Sequence, residues 1–215
     1  IHGPVSPLCK SRLDPGHSKV VADAVIRAGY RVRGFIDDYA MSAPLPRYDV
    51  IGTILGFIND WKLQRDIATV VAIGDNHTRM QIVKKLALPK ERYATVIDPS
   101  AVVSQYASIA EGTVVLQGAI VNAGTVVGQH AIVNTSCTID HDCKIGNYAH
   151  ISPGVNLAGG VAVGEGTHLG IGSCVVPGCS VGDWSVVGAG AVVVKSIPAK
   201  CIAVGVPATV IRTIS

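Results

Sequence analysis

Residues 137–154 read CTIDHDCKIGNYAHISPG, and this stretch holds two of the chain's seven histidines, nine residues apart. His141 is flanked by Asp140 and Asp142. An imidazole titrates near neutrality and so suits a general base, and an adjoining carboxylate can fix its tautomer and raise its basicity. Either aspartate satisfies that requirement at this level. The chemistry such a pair suits is general-base catalysis, in which the imidazole takes a nucleophile's proton and a nearby donor holds the negative charge that develops.

The segment that must position these groups has a period of six. From Ile97 to Val193 every sixth residue is aliphatic, giving seventeen consecutive hexads with no insertion. Four residues after the anchor the side chain is nearly always small, as at Ala101, Ala107, Thr113, Ala119, Cys137, Cys143 and Ala149. One large and one small inward residue per hexad fit short strands joined by tight corners in a parallel β-helix. Gly128, Asn134, Gly146, Gly164, Gly170 and Gly182 directly follow anchors and are expected at those corners with positive φ. His141 lies two positions past Ile139, so its side chain is expected to leave near a corner.

This column resembles the hexapeptide-repeat acyltransferases, whose fold is a left-handed parallel β-helix with three hexads, or eighteen residues, per coil. Handedness follows from the resemblance alone. One coil past His141 stands Gly159, which leaves space over the base and an exposed N–H as a candidate oxyanion donor. One coil past His150 stands His168, so those two are expected to stack, with His168 serving as a surface residue.

Residues 1–92 have a different texture, with helical and strand patterns alternating in GHSKVVADAVIRAGYRVRGFIDD and TVVAIGDNHTRMQIVKKLAL. That order predicts a small Rossmann-like α/β domain, followed by an all-β domain over 93–215. Gly16–Lys19, GHSK, is similar to the loop of the sugar O- and N-acyltransferases of the sialic-acid, bacillosamine and perosamine type. The preceding SRLDP departs from that family by lacking its glycines and its hydrophobic first strand.

The resemblance implies that His17, Asp37, Asp38, Gly74, Asp75 and Asn76 bind a nucleotide-linked sugar. It also implies that His141 is the base with Asp142 beside it, and that His150 and Ile171 contact acetyl-CoA. The tail IPAKCIAVGVPATVIR resembles the family's end signature through Gly205, Pro207 and Ala208, near the adenine end of that co-substrate. Gly188 and Gly190 either admit the pantetheine arm or serve as corner glycines. The implied activity is acetyl-CoA-dependent N-acetylation of an amino-deoxy sugar by a homotrimer with active sites between subunits. The alternatives are O-acetylation of a sugar hydroxyl, as with sialic acid, and a non-catalytic nucleotide-binding scaffold.

Composition narrows the field further. A net charge of +3 with scattered basic residues gives no nucleic-acid footprint. No run is long and apolar enough for a membrane span, and the opening residues hold no apolar stretch of signal-peptide length. Six cysteines without CxxC spacing read as reduced thiols, and Cys137, Cys143 and Cys179 as core filler, so the expected compartment is the cytoplasm. A zinc site of the gamma-carbonic-anhydrase kind needs three histidines at spacings that nine and eighteen residues do not supply, so no metal is expected.

Overall fold

The computed structural model describes residues 4–8, 15–39, 42–60 and 67–214. Its first part runs β1 (Pro4–Leu8), α1 (Pro15–Arg27), β2 (Arg31–Val32), β3 (Phe35–Ile36), β4 (Val50–Gly52), α2 (Ile54–Asp60), β5 (Ala68–Val71) and α3 (Asn76–Leu86). All its strand pairings are parallel, with β1 between β5 on one side and β2 and β3 on the other. The first strand, missing from SRLDP, therefore lies upstream, at PVSPL. Residues 9–14, which contain most of that departure, lie outside the described residues.

Helix α1 buries Ser18, Val21, Ala22 and Val25, one stripe at helical spacing. It ends where Gly29 takes φ 82°, letting the Tyr30 N–H reach back to Val25 O at 3.1 Å.

From Val96 onward the chain winds as a three-faced parallel β-helix of two-residue strands. The first face stacks pairs beginning at Val96, Val114, Ile132, His150, His168 and Val186, and the second those at Val102, Ile120, Thr138, Asn156, Cys174 and Val192. The third stacks Ser108, Val126, Lys144, Ala162 and Ser180. Each residue pairs with the one eighteen positions on, as in Thr138↔Asn156, Lys144↔Ala162 and His150↔His168. From Val114–Val115 to Val192–Val193 the second residue of each strand is buried, and Ile139, Ile145, Ile151, Leu157 and Val163 are at most 3% exposed. Cys137 and Cys143 are fully buried among the small inward positions, beside Ala119, Ala131 and Ala149. The last coil is closed by Cys201–Val204, which pairs parallel to Val186–Val187 and antiparallel to Thr209–Thr213.

The corners differ from expectation. From Gly112 to Gly190 the left-handed residue is the third after the anchor, as at Gly112, Gly118, Gly124, Gly154 and Gly160, and not the first. Glycine directly after the anchor has another cause, close stacking: a Cβ on Gly146 would lie 2.5 Å from Glu165 N in the next coil.

The two parts share one apolar cluster, in which Val21, Ala22, Ala24 and Val25 of α1 meet Val114, Leu116 and Ile132 of the first face. Among the described residues no helix is long and apolar enough to cross a membrane. Replacing Ile145 by Ala removes a core anchor and is expected to cost about 2–5 kcal/mol, read as a lowered denaturant midpoint in equilibrium unfolding.

Candidate active site

His141 stands at the corner between the second and third faces with its side chain 62% exposed. Its Nδ1 lies 2.8 Å from Asp142 Oδ2, so the carboxylate sits against one ring nitrogen and leaves Nε2 without a hydrogen-bond partner among the described residues. Asp142 has φ 59°, a left-handed backbone that aspartate tolerates better than most residues, and Gly124, Gly160 and Gly178 share that conformation in the same corner column. Of the two flanking acids, Asp142 touches the ring. Asp140 instead accepts the His141 backbone N–H at 2.8 Å and the Asn122 amide at 3.0 Å. The pKa of His141 is raised, first by the hydrogen bond to Asp142 and next by the charge of Asp140.

Gly159 lies directly over this ring. A Cβ there would come within 2.5 Å of His141 Nε2. The neighbouring amides are engaged, Ala158 N–H to Val175 O and Gly160 N–H to His141 O, whereas the Gly159 N–H meets no acceptor among the described residues. One corner thus presents a bare basic nitrogen, a neighbouring N–H donor and the space that glycine leaves.

A second feature lies on the first face, under α3. The corner column between the third and first faces carries Gly112, His130, Tyr148, Gly166 and Trp184, all with positive φ. Their carbonyls turn toward α3, where Arg79 Nε donates to His130 O at 2.8 Å and Nη2 to Tyr148 O at 2.6 Å. Asn76 Nδ2 donates to Gly166 O at 3.0 Å. Three residues of helix rise about 4.5 Å, close to the spacing of about 4.8 Å between stacked strands, so Asn76 and Arg79 meet successive coils. The Asp75 carboxylate caps the helix by accepting the Thr78 N–H at 2.8 Å.

Between α3 and the coils lies a cavity of about 390 Å³ lined by Gly74, Asp75, Asn76, His77, His150, His168 and Trp184 among others. His150 and His168 stack with centroids 4.8 Å apart and planes within 4°. His168 is not a surface residue as expected, because its Nε2 lies 2.8 Å from Ser152 Oγ and it forms the cavity wall. His17 approaches His150 with ring centroids 5.9 Å apart.

The remaining expected residues are spread more widely. Asp37 is buried and accepts the Tyr39 N–H, while Asp38 accepts the Ile54 N–H at the start of α2. The Asn76 side chain lines the cavity, yet both its polar ends are taken, by Arg79 and by Gly166 O. Ile171 is 62% exposed at the corner between the first and second faces. Gly190, at the same corner, has φ 66° and open space where a Cβ would stand. Gly188 is packed against Val204, and Gly205 has φ 98°. Among the described residues no three His, Cys, Asp or Glu side chains are arranged so that they could hold a metal ion.

The family PglD N-terminal domain matches residues 14–86. Over 102 residues the chain is 38% identical to the UDP-N-acetylbacillosamine N-acetyltransferase of Bacillus subtilis (strain 168). That match spans 47% of this chain and 47% of the relative, so it reaches about half the relative's length. The acetyltransferase domain of PglB from Neisseria gonorrhoeae FA1090, in complex with acetyl coenzyme A, superposes with a TM-score of 0.88 at 34% identity, over 98% of this chain and 100% of that one. PerB from Caulobacter crescentus, in complex with CoA and GDP-perosamine, gives 0.86 at 35% identity over 97% of each chain. The chain belongs to the hexapeptide-repeat sugar acyltransferase family.

In this chain, inspection of the sequence missed Arg79, Trp184 and His130. Arg79 looks like an ordinary polar helix position in DNHTRM. Stepping by eighteen from Gly112 would have exposed the column His130, Tyr148, Gly166, Trp184. The His130 ring rests over Gly112, stacks on Tyr148 at 5.5 Å and meets Tyr93 edge-on at 4.5 Å, while Trp184 stacks on His77 at 4.1 Å.

Burial, and then the charge of Arg79, push His130 down to about 4 from the ordinary 6.5. His150 and His168 are lowered as well, again first by burial. The folded protein thus refuses protons that the unfolded chain accepts, so stability is full above the ordinary histidine value and is lost as pH falls below it. Thermal midpoints are expected to hold above about pH 6.5 and to drop progressively toward pH 4. His130→Asn, which keeps a residue tolerant of the left-handed backbone, should flatten part of that slope.

Proposed function

We propose that the protein transfers the acetyl group of acetyl-CoA to the amino group of a nucleotide-linked amino-deoxy sugar, with His141 as general base. The observation carrying this is the His141–Asp142 pair, whose outer nitrogen faces the gap and the unpaired N–H at Gly159. With Nδ1–H donated to Asp142, the lone pair of Nε2 is available to the substrate. As the amine attacks the thioester carbonyl, Nε2 takes its proton, and the oxygen that gains charge is held by the Gly159 N–H. Collapse of the intermediate breaks the carbon–sulfur bond, and the imidazolium returns the proton to the departing thiolate. The raised pKa of His141 suits it to this exchange.

The co-substrate groove is assigned to Ile171, Gly188, Gly190 and Gly205, with His150 at its inner end. Support comes from the open strip at Ile171 and Gly190, and from relatives solved with acetyl coenzyme A or CoA. The sugar nucleotide is assigned to His17, Asp37, Asp38 and the Gly74–Asn76 turn of a domain spanning 1–92. His141 belongs to the β-helix over 93–215, and the cavity under α3 lies on a different face of the coil from its corner. A neighbouring copy must bring its pocket to that corner, which is the reason for assigning a homotrimer. The described cysteines are free thiols, which favours the cytoplasm.

Release of CoA from acetyl-CoA, followed with a thiol reagent, tests the reading on a panel of UDP- and GDP-linked 4-amino sugars alongside sialic acid. Turnover with an amino sugar is expected; turnover with sialic acid alone would replace the amine by a hydroxyl acceptor. A folded His141→Ala protein should lose about 10²–10⁴-fold in rate, and a retained rate would remove the base from His141. Activity should fall as pH drops through the His141 pKa, and Asp142→Asn, by withdrawing the group that raises it, should move that acidic limb to lower pH. Gly159→Ala should suppress turnover by driving a methyl into the ring. Sedimentation should give a trimer, and a monomer would leave His141 without a sugar pocket.

A further inference from the structure

Arg79 is 1% exposed, and its five N–H groups meet five neutral oxygens: His130 O, Ile73 O, Gly74 O, Tyr148 O and Asn76 Oδ1. It forms no ion pair among the described residues. One of its acceptors is shared, because Gly74 O lies 3.2 Å from Arg79 Nη1 and 3.3 Å from His150 Nδ1. A carbonyl can only accept, so His150 must carry its proton on Nδ1. The other side of the ring demands the same assignment. Asn134 uses its Oδ1 to accept the Thr135 N–H at 2.8 Å, which turns its amide N–H₂ toward His150 Nε2 at 3.0 Å, and that nitrogen must then be the acceptor.

We infer that Arg79 is a positioning residue for the inner end of the co-substrate groove: by clamping the Gly74 carbonyl against the coil it holds, together with Asn134, the His150 ring in the Nδ1–H form. The inference rests on the groove assignment proposed above. The groups facing His150 are His17 from α1, Gly74 O, Asp75 and Arg79 around the start of α3, and His168 from the next coil. Burial and the neighbouring positive charge both oppose protonation of this ring, so the wall presents one uncharged tautomer across neutral pH. Lysine at position 79 would keep the charge but supply at most three donors without the planar fork.

Long-range nitrogen–proton spectra of histidine-labelled full-length protein read the tautomer directly and require no turnover. Wild type is expected to show His150 uncharged with Nδ1–H alone near pH 7, and Arg79→Lys, in which Asn134 still faces Nε2, to add a minor Nε2–H population. In the assay for CoA release, the same variant should raise KM for acetyl-CoA on the order of tenfold while the pH profile of kcat, set by His141, stays in place. An Nε2–H or charged His150 in wild type overturns the inference whether or not any variant folds. An unchanged tautomer or an unchanged KM in folded Arg79→Lys does so too. Failure of the N-acetyltransfer reading would leave the spectra as expected and is therefore distinguishable.

Discussion

Everything in the site depends on the unbroken eighteen-residue register of the coils. Each strand pairs with the residue eighteen positions on, so a side chain's neighbours above and below are set by sequence position alone. That puts Gly159 over His141, stacks His150 on His168, and lines up the corner carbonyls of His130, Tyr148 and Gly166. A single inserted residue would shift every later side chain to another face. The anchors resist such a slip because each buries an aliphatic side chain, worth about 1.5–3 kcal/mol apiece.

The register also creates a problem that α3 solves. Left-handed residues at one corner turn a column of carbonyls away from the coil, and leaving them buried without donors would be costly. A helix laid along the column matches its spacing, and Arg79 with Asn76 supplies the donors. Burying a guanidinium without an anion is unfavourable, as its pKa, lowered to about 9, shows. Five hydrogen bonds offset that cost and tie the Gly74 turn to the wall of the cavity. The same residue that joins the two parts of the chain thereby shapes the pocket between them.

The β-helix was legible because its signal repeats: a period of six over seventeen hexads leaves no competing pattern. The corners were misassigned because glycine has two uses, a left-handed backbone and a close approach, and composition does not separate them. Gly146 serves the second and Gly160 the first. The first strand was missed because PVSPL has two prolines and no alternation, and only its parallel partners reveal it. Arg79 was invisible for the opposite reason, being a residue type that nearly always faces water.

Sequence alone determined the repeat, the stacking of Gly159 over His141, the pairing of His150 with His168 and the two candidate carboxylates, because in a solenoid contact follows from arithmetic. Only the tertiary structure chose Asp142 over Asp140, since the choice depends on a left-handed backbone that places one carboxylate at Nδ1. It also decided that His141 and His150 stand on different faces and that Arg79 fastens α3 to the coils. Those contacts join residues far apart in the chain, and no local pattern encodes which distant carbonyl a buried guanidinium will meet.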